Sequence, residues 1–149
     1  MLLSTTTAVV FETFGYENSI RFLANLGFDA LDLCMTDCIY QDDFSEEHYE
    51  QTCEKLKALA EENHIFFNQA HAPFPSYRFG DDAYNDKVKP ALIRSIKAAG
   101  IVGAKQIVVH PTACPEDVDQ MQFNLAFYRD LIPYCQEYHV KVALENMWR

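Results

Sequence analysis

The chain has 149 residues, 49% of them hydrophobic and 23% charged, which is enough apolar material for one globular domain with a core. Its formal net charge of −10 argues against nucleic acid as the main partner, because phosphate neutralisation requires clustered Lys and Arg side chains. The sequence has no apolar run as long as a membrane span and no basic secretion signal, so we expect no membrane association. Five cysteines without a C-x-x-C spacing indicate reduced thiols in a cytoplasmic protein.

The first part of the sequence predicts two strands, each followed by a helix. Residues 5–11 are β-branched and apolar, which predicts a strand. Apolar residues at helical spacing between 20 and 26 predict the first helix, and Gly27 is suited to ending it. Residues 28–35 predict the second strand. A long amphipathic helix then follows Ser45, a favourable N-cap residue.

The rest of the sequence continues the same alternation. Three strands are predicted at 65–71, 106–110 and 141–145, with helices at 88–99 and 120–138 between them. Pro90 is expected in the first turn of its helix or at a kink. Residues 76–86 are rich in aromatic side chains and form a candidate lid above a strand end. The predicted strands end about 35 residues apart, which is the rhythm of parallel α/β folds.

Three of these strands end in a side chain suited to metal binding or acid–base chemistry: His71, His110 and Glu145. The carboxyl ends of parallel strands joined by right-handed crossovers lie on one side of a sheet, so the three should converge. Asp32 interrupts the apolar second strand, and a buried Asp needs a partner. It is expected either to meet water at the strand end, or to bind substrate or support a site residue.

The two faces of these strands differ in polarity. The faces with the three candidate site residues also carry Phe67 and Gln69, Gln106 and Val108, and Lys141 and Ala143; the opposite faces carry Phe66, Ile107, Val109, Val142 and Leu144. This asymmetry favours a parallel barrel with a polar interior. The alternative is a five-stranded flavodoxin-like open sheet, which should be apolar on both faces. A complete barrel typically needs about 250 residues, so we expect only about five strands and four helices of one.

The motifs His71-Ala-Pro, Val109-His110-Pro and Ala143-Leu-Glu-Asn-Met147 resemble the xylose-isomerase-like TIM-barrel superfamily. That superfamily includes sugar-phosphate isomerases and epimerases, enzymes of myo-inositol catabolism and the endonuclease IV group. The order and spacing of the motifs cover nearly the whole chain. We therefore expect residues 1–149 to be the N-terminal portion of such a barrel.

The resemblance implies a divalent metal, Mn, Mg, Co or Zn, at the top of the barrel. It implies that Glu145 is the fifth-strand glutamate that binds metal and serves catalysis. His71 and His110 match metal-binding histidines of the endonuclease-like members, and in the isomerases these positions line the sugar pocket. Asp32 sits where many relatives carry an acid. Trp148 is expected to cover the apolar face of a sugar.

The function this implies is a metal-dependent isomerase or epimerase acting on a sugar or sugar phosphate through an enediolate. The family's other metal ligands come from later strands that the sequence does not contain, so the site is expected to be incomplete. Two alternatives remain: an endonuclease IV-like phosphodiesterase, disfavoured by the charge, and a non-catalytic half-barrel completed by a partner. We expect either a homo-oligomer or association with the C-terminal half of the barrel.

Overall fold

The computed structural model describes residues 1–145, which form one parallel sheet with helices packed on one side. The strands are β1 (Ser4–Thr6), β2 (Ala30–Cys34), β3 (Phe66–His71), β4 (Gln106–Val108) and β5 (Lys141–Ala143). The helices are α1 (Ala8–Phe14), α2 (Tyr16–Asn25), α3 (Tyr49–Glu62), α4 (Asp82–Val102) and α5 (Gln120–Glu137), with two short 3-10 turns at Cys38–Tyr40 and Asp42–Phe44. None of the described helices combines the length and apolar character needed to cross a bilayer.

The strand order is β1-β2-β3-β4-β5, with every neighbouring pair parallel. A flavodoxin-like sheet has the order 2-1-3-4-5, so that alternative is wrong. Sequential parallel strands with helices on the outside form part of a parallel βα barrel, as predicted. The polarity of the two faces agrees with this fold: the side facing the helices carries fully buried Leu31, Leu33, Ala70 and Ile107. Polar side chains occupy the other side.

The first predicted strand is wrong beyond its opening residues, because the chain leaves the sheet at Thr7. The Thr7 hydroxyl donates to the carbonyl of Asp32 at 3.1 Å and accepts from the amide of Cys34 at 3.0 Å. The Thr7 carbonyl accepts from the amide of Phe11 at 3.0 Å, which begins α1. These contacts outweigh the strand preference of the β-branched residues that follow.

Two predicted helix boundaries also move. Helix α3 begins at Tyr49 rather than directly after Ser45, whose carbonyl accepts from the Tyr49 amide at 3.0 Å. Helix α4 is longer than predicted because Asp81 caps it, accepting from the amide of Tyr84 at 3.1 Å. Pro90 consequently lies inside α4 instead of in its first turn.

A β-bulge in β3 changes which side chains share a face with His71. Leu31 pairs with Phe67 and Asp32 pairs with Gln69, which leaves one extra residue, Asn68, in β3. Phe67 is therefore buried under the helices, and Phe66 is 45% exposed. The prediction that Phe67 shares the face of His71, with Phe66 opposite, is wrong for this reason.

Candidate functional site

His71, His110 and Glu145 lie together at one end of the sheet. His71 is the last residue of β3, whereas β4 and β5 end two residues earlier than predicted, so His110 and Glu145 lie just beyond them. The Nε2 atom of His71 lies 3.5 Å from Oε2 of Glu145, and Nδ1 of His110 lies 3.9 Å from the same oxygen. One ligand atom from each residue lies within 4.8 Å of the other two. The amide of Val109 donates to the carbonyl of Ala143 at 3.2 Å, where β4 and β5 end. This hydrogen bond keeps the segments that carry His110 and Glu145 side by side.

His71 is held by Asp32 on the neighbouring strand. Its Nδ1 atom lies 2.6 Å from Oδ2 of Asp32, and both side chains are largely buried. The hydrogen bond to Asp32 raises the pKa of His71, although burial of the ring opposes that effect. Asp32, which the sequence left between contact with water and a role in the site, thus contacts one of the site's imidazoles.

His110 is in a drier environment. Its side chain is 11% exposed, and the Phe74 ring packs edge-on against it with the ring centroids 5.0 Å apart. Burial lowers the pKa of His110, and the nearby Glu145 carboxylate only partly offsets this. Nδ1 of His110 is buried and has no hydrogen-bond partner among residues 1–145.

Two glutamines, to which sequence reasoning gave no role in the site, extend the polar network across the sheet. Nε2 of Gln69 donates to Oδ2 of Asp32 at 3.0 Å, and Nε2 of Gln106 donates to Oε1 of Gln69 at 2.9 Å. Both glutamines lie on the polar face that the sequence had identified. The contact of Gln69 with Asp32, and that of Gln106 with Gln69, depend on strand register, including the bulge, which a single sequence does not reveal.

A cleft of about 750 Å³ opens beside Glu145, between the loops that follow β3 and β4. Tyr77 and Phe79 line it, and their rings pack together with centroids 5.1 Å apart. Arg78 is the one cationic side chain among the described lining residues. Part of the predicted lid, residues 76–86, therefore forms one wall of this cleft. Trp148, the predicted sugar-covering residue, lies outside the described residues.

Asn124 on α5 holds the loop that follows His110, and sequence reasoning missed it as well. It is buried, its Oδ1 accepts from the amide of Thr112 at 2.8 Å, and its Nδ2 donates to the Thr112 carbonyl at 2.9 Å. The available signal was its helical spacing from the buried Leu131, where a polar side chain needs partners. Asn124 thereby fixes the chain two residues beyond His110.

The three side chains at the strand ends fit a divalent metal ion. Two imidazole nitrogens and a carboxylate oxygen form a ligand set that suits Zn, Co or Mn. Among residues 1–145, Nδ1 of His110 has no hydrogen-bond partner, which supports the fit because a buried ring nitrogen normally has such a partner or a metal. His71, His110 and Glu145 could therefore hold such an ion together.

Comparison with solved structures shows the same fold in proteins of low sequence identity. The matches include a D-tagatose 3-epimerase-like protein (TM-score 0.74, 19% identity, covering 100% of this chain and 54% of that one). They also include the apo form of 3-keto-D-glucoside 4-epimerase from E. coli (TM-score 0.75, 18% identity, 100% and 57%) and the IOLI protein with a zinc atom (TM-score 0.67, 15% identity, 97% and 51%). The chain thus spans about half the length of these structures.

No curated protein sequence matches the chain significantly. A family model, described as xylose isomerase-like TIM barrel, matches residues 20–149, which is most of the chain. The match agrees with the parallel sheet, its sequential strand order and the three motifs at the strand ends. The chain therefore belongs to the xylose isomerase-like TIM barrel family.

Proposed function

We propose that the protein is a metal-dependent isomerase or epimerase of a sugar or sugar phosphate, with His71, His110 and Glu145 as ligands of one divalent ion. The observation that carries the proposal is the convergence of these three side chains within 4.8 Å of one another at one end of the sheet. Two of the solved structures with the same fold carry epimerase names, which supports this class of reaction.

The chemistry requires moving a proton at a carbon next to a carbonyl, through an enediolate. A bound divalent ion would supply positive charge that stabilises the enediolate oxygens. Glu145 is the candidate catalytic carboxylate, because its side chain borders both the two imidazoles and the cleft. His71 and His110 would hold the ion beside Glu145. As the alternative role, a ring nitrogen that does not bind metal can bond a sugar hydroxyl.

The cleft supports a small polar substrate with an apolar face. Tyr77 and Phe79 offer ring surfaces to a sugar, and Arg78 offers a cation to a phosphate group. Of the four expected metals, the two imidazole nitrogens and one carboxylate favour Zn, Co or Mn over Mg, which prefers oxygen ligands. The five cysteines lack a C-x-x-C spacing, which supports a reducing, cytoplasmic location for this activity.

The test is deuterium incorporation into ketoses, ketose phosphates and inososes in D2O, followed by NMR with each metal added to the metal-stripped full protein. We expect metal-dependent exchange at a carbon next to the carbonyl of at least one substrate. Glu145→Gln should abolish it, whereas Glu137→Gln, which changes an exposed carboxylate at the end of α5, should not. Metal-independent exchange, or full exchange in Glu145→Gln, would contradict the proposal.

The two-imidazole ligand set also favours a second candidate, an endonuclease IV-like phosphodiesterase, since the resemblance assigns metal-binding histidines to those members. The charge of the cleft opposes it, because Arg78 is the single cation among the described lining residues and the chain carries a net charge of −10. Cleavage of DNA at abasic sites by the metal-loaded protein would favour this candidate over the isomerase.

A barrel completed by association is the third candidate. Strands β1 and β5 are the two edges of the described sheet, and Phe66 is 45% exposed on its inner side. Unpaired edges and exposed apolar side chains favour contact with further strands, either from a second copy or from the C-terminal half of the barrel. Light scattering of the purified protein would separate a monomer from a homo-oligomer.

A further inference from the structure

We infer that Asp32 is a positioning residue, which holds His71 in the tautomer with its proton on Nδ1 and so leaves the Nε2 lone pair facing Glu145. The inference rests on the proposed function, in which the Nε2 lone pair of His71 binds the divalent ion. In this role Asp32 positions His71 and does not contact a substrate directly.

The geometry around Oδ2 of Asp32 determines the tautomer. A carboxylate accepts hydrogen bonds and has no proton to donate, so the 2.6 Å contact requires a hydrogen on Nδ1 of His71. The neutral ring then has its lone pair on Nε2. That atom lies 3.5 Å from Oε2 of Glu145, within the group of candidate metal ligands.

The glutamine pair strengthens this assignment. Gln69 donates from Nε2 to the same oxygen of Asp32, and its Oε1 accepts from Gln106. With both ends occupied, the Gln69 amide cannot turn its oxygen toward Asp32 without losing both hydrogen bonds. Oδ2 of Asp32 therefore receives two donors, and the carboxylate is fixed in the plane from which it can hold His71.

The position of Asp32 in its strand argues against a purely structural role. Its neighbours Leu31 and Leu33 are fully buried, and Asp32 itself is 9% exposed. Its Oδ1 atom is buried and has no hydrogen-bond partner within residues 1–145. A buried carboxylate with an unpaired oxygen costs free energy, and a hydrophobic residue of similar size would serve the core better. The cost is explained if the carboxylate acts on His71.

Orientation of a metal-binding imidazole by a carboxylate on its other nitrogen fixes the ring and increases its basicity as a ligand. Loss of such a partner typically weakens metal affinity by about 10- to 100-fold. Asp32 should therefore affect metal binding without touching the ion, and it should affect the His71 tautomer even when no ion is present.

The experiment measures the His71 tautomer by ¹⁵N–¹H NMR in the metal-free full protein, at alkaline pH where the ring is neutral. Wild type should show the proton on Nδ1 alone. Asp32→Asn preserves the shape but can donate to Nδ1, and Asp32→Leu removes the acceptor, so in both variants the Nε2–H tautomer should gain population. Ser4→Ala is the matched control, since it removes a 3.0 Å hydrogen bond to Asn68 on the same face of the sheet.

Calorimetric titration of the same proteins with Zn²⁺ or Mn²⁺ provides the second readout. Affinity should fall about 10- to 100-fold in both Asp32 variants and stay unchanged in Ser4→Ala. An Nδ1–H tautomer that persists unchanged in both Asp32 variants would overturn the inference. If wild type binds neither ion, the proposed metal site fails, and the tautomer measurement still decides the role of Asp32.

Discussion

His71 and His110 lie at the ends of adjacent strands with their ring centroids 5.8 Å apart, yet their surroundings shift their pKa values in opposite directions. The hydrogen bond from Nδ1 of His71 to Asp32 stabilises the protonated form of His71. The other ring packs against Phe74, and its Nδ1 atom has no hydrogen-bond partner in the described part of the chain. Two imidazoles that lie near one carboxylate thus have pKa values shifted in opposite directions by their surroundings.

This difference predicts two separate histidine titrations in the metal-free protein. His71 should titrate above the ordinary histidine pKa because of its hydrogen bond to Asp32, and His110 should titrate below it because of burial. The stability contributed by the His71–Asp32 pair should be fully present below the pKa of an unfolded histidine. It should be lost as the pH rises through the raised pKa of folded His71.

The measurement is an NMR titration of the ring C–H signals, assigned with His71→Gln and His110→Gln. The control is Asp32→Asn, which should lower the midpoint of His71 and leave that of His110 below the ordinary value. Coincident midpoints in wild type, or the reverse order, would contradict the assignment of the two environments.

Gly100 provides a test of the packing between α4 and the end of α5. Helix propensity alone predicts that Gly100→Ala stabilises α4 by about 1 kcal/mol. A Cβ at that position would lie 2.7 Å from the carbonyl oxygen of Tyr138 and 2.9 Å from its Cβ, so the two segments must separate. We expect a net loss of about 1–3 kcal/mol in the free energy of unfolding, measured with urea. A gain in stability would show that the packing is looser than described.

Asn124 tests whether the loop after His110 is held by its hydrogen bonds to Thr112. Asn124→Leu introduces an apolar side chain of similar size and leaves the buried amide and carbonyl of Thr112 without their partner. We expect a loss of about 1–3 kcal/mol for each orphaned group, together with a shift in the ring signals of His110. The control is Gln122→Leu, an exposed position on the same helix, where neither change is expected. Unchanged His110 signals in Asn124→Leu would show that the hydrogen bonds between Asn124 and the loop do not position His110.

The convergence of the strand ends could be predicted from sequence, and the network behind it could not. Parallel strands joined by helices place their carboxyl ends on one side by chirality alone, whatever the details of pairing, so His71, His110 and Glu145 were predictable as neighbours. The contact between Asp32 and His71 depends on the register of β2 against β3. That register shifts at Asn68, and the pattern of β3 by itself does not show a bulge.

The missed helix α1 has the same kind of cause. Residues 8–14 include two valines and two phenylalanines, and their local preference is for a strand. Thr7 decides otherwise through hydrogen bonds to Asp32 and Cys34, which are distant in sequence. Local periodicity gave the type and order of the longer elements, while contacts between strands decided where the first strand ends.

The most direct test of the metal site is calorimetric titration of the metal-stripped full protein with Zn²⁺ and Mn²⁺, in wild type and in His71→Gln, His110→Gln and Glu145→Gln. If these three residues share one ion, wild type should bind at least one of the two metals, and each substitution should weaken that binding by about 10-fold or more. His48→Ala, an exposed histidine before α3, should bind as wild type does. Equal affinity in wild type and all three variants would contradict the shared site.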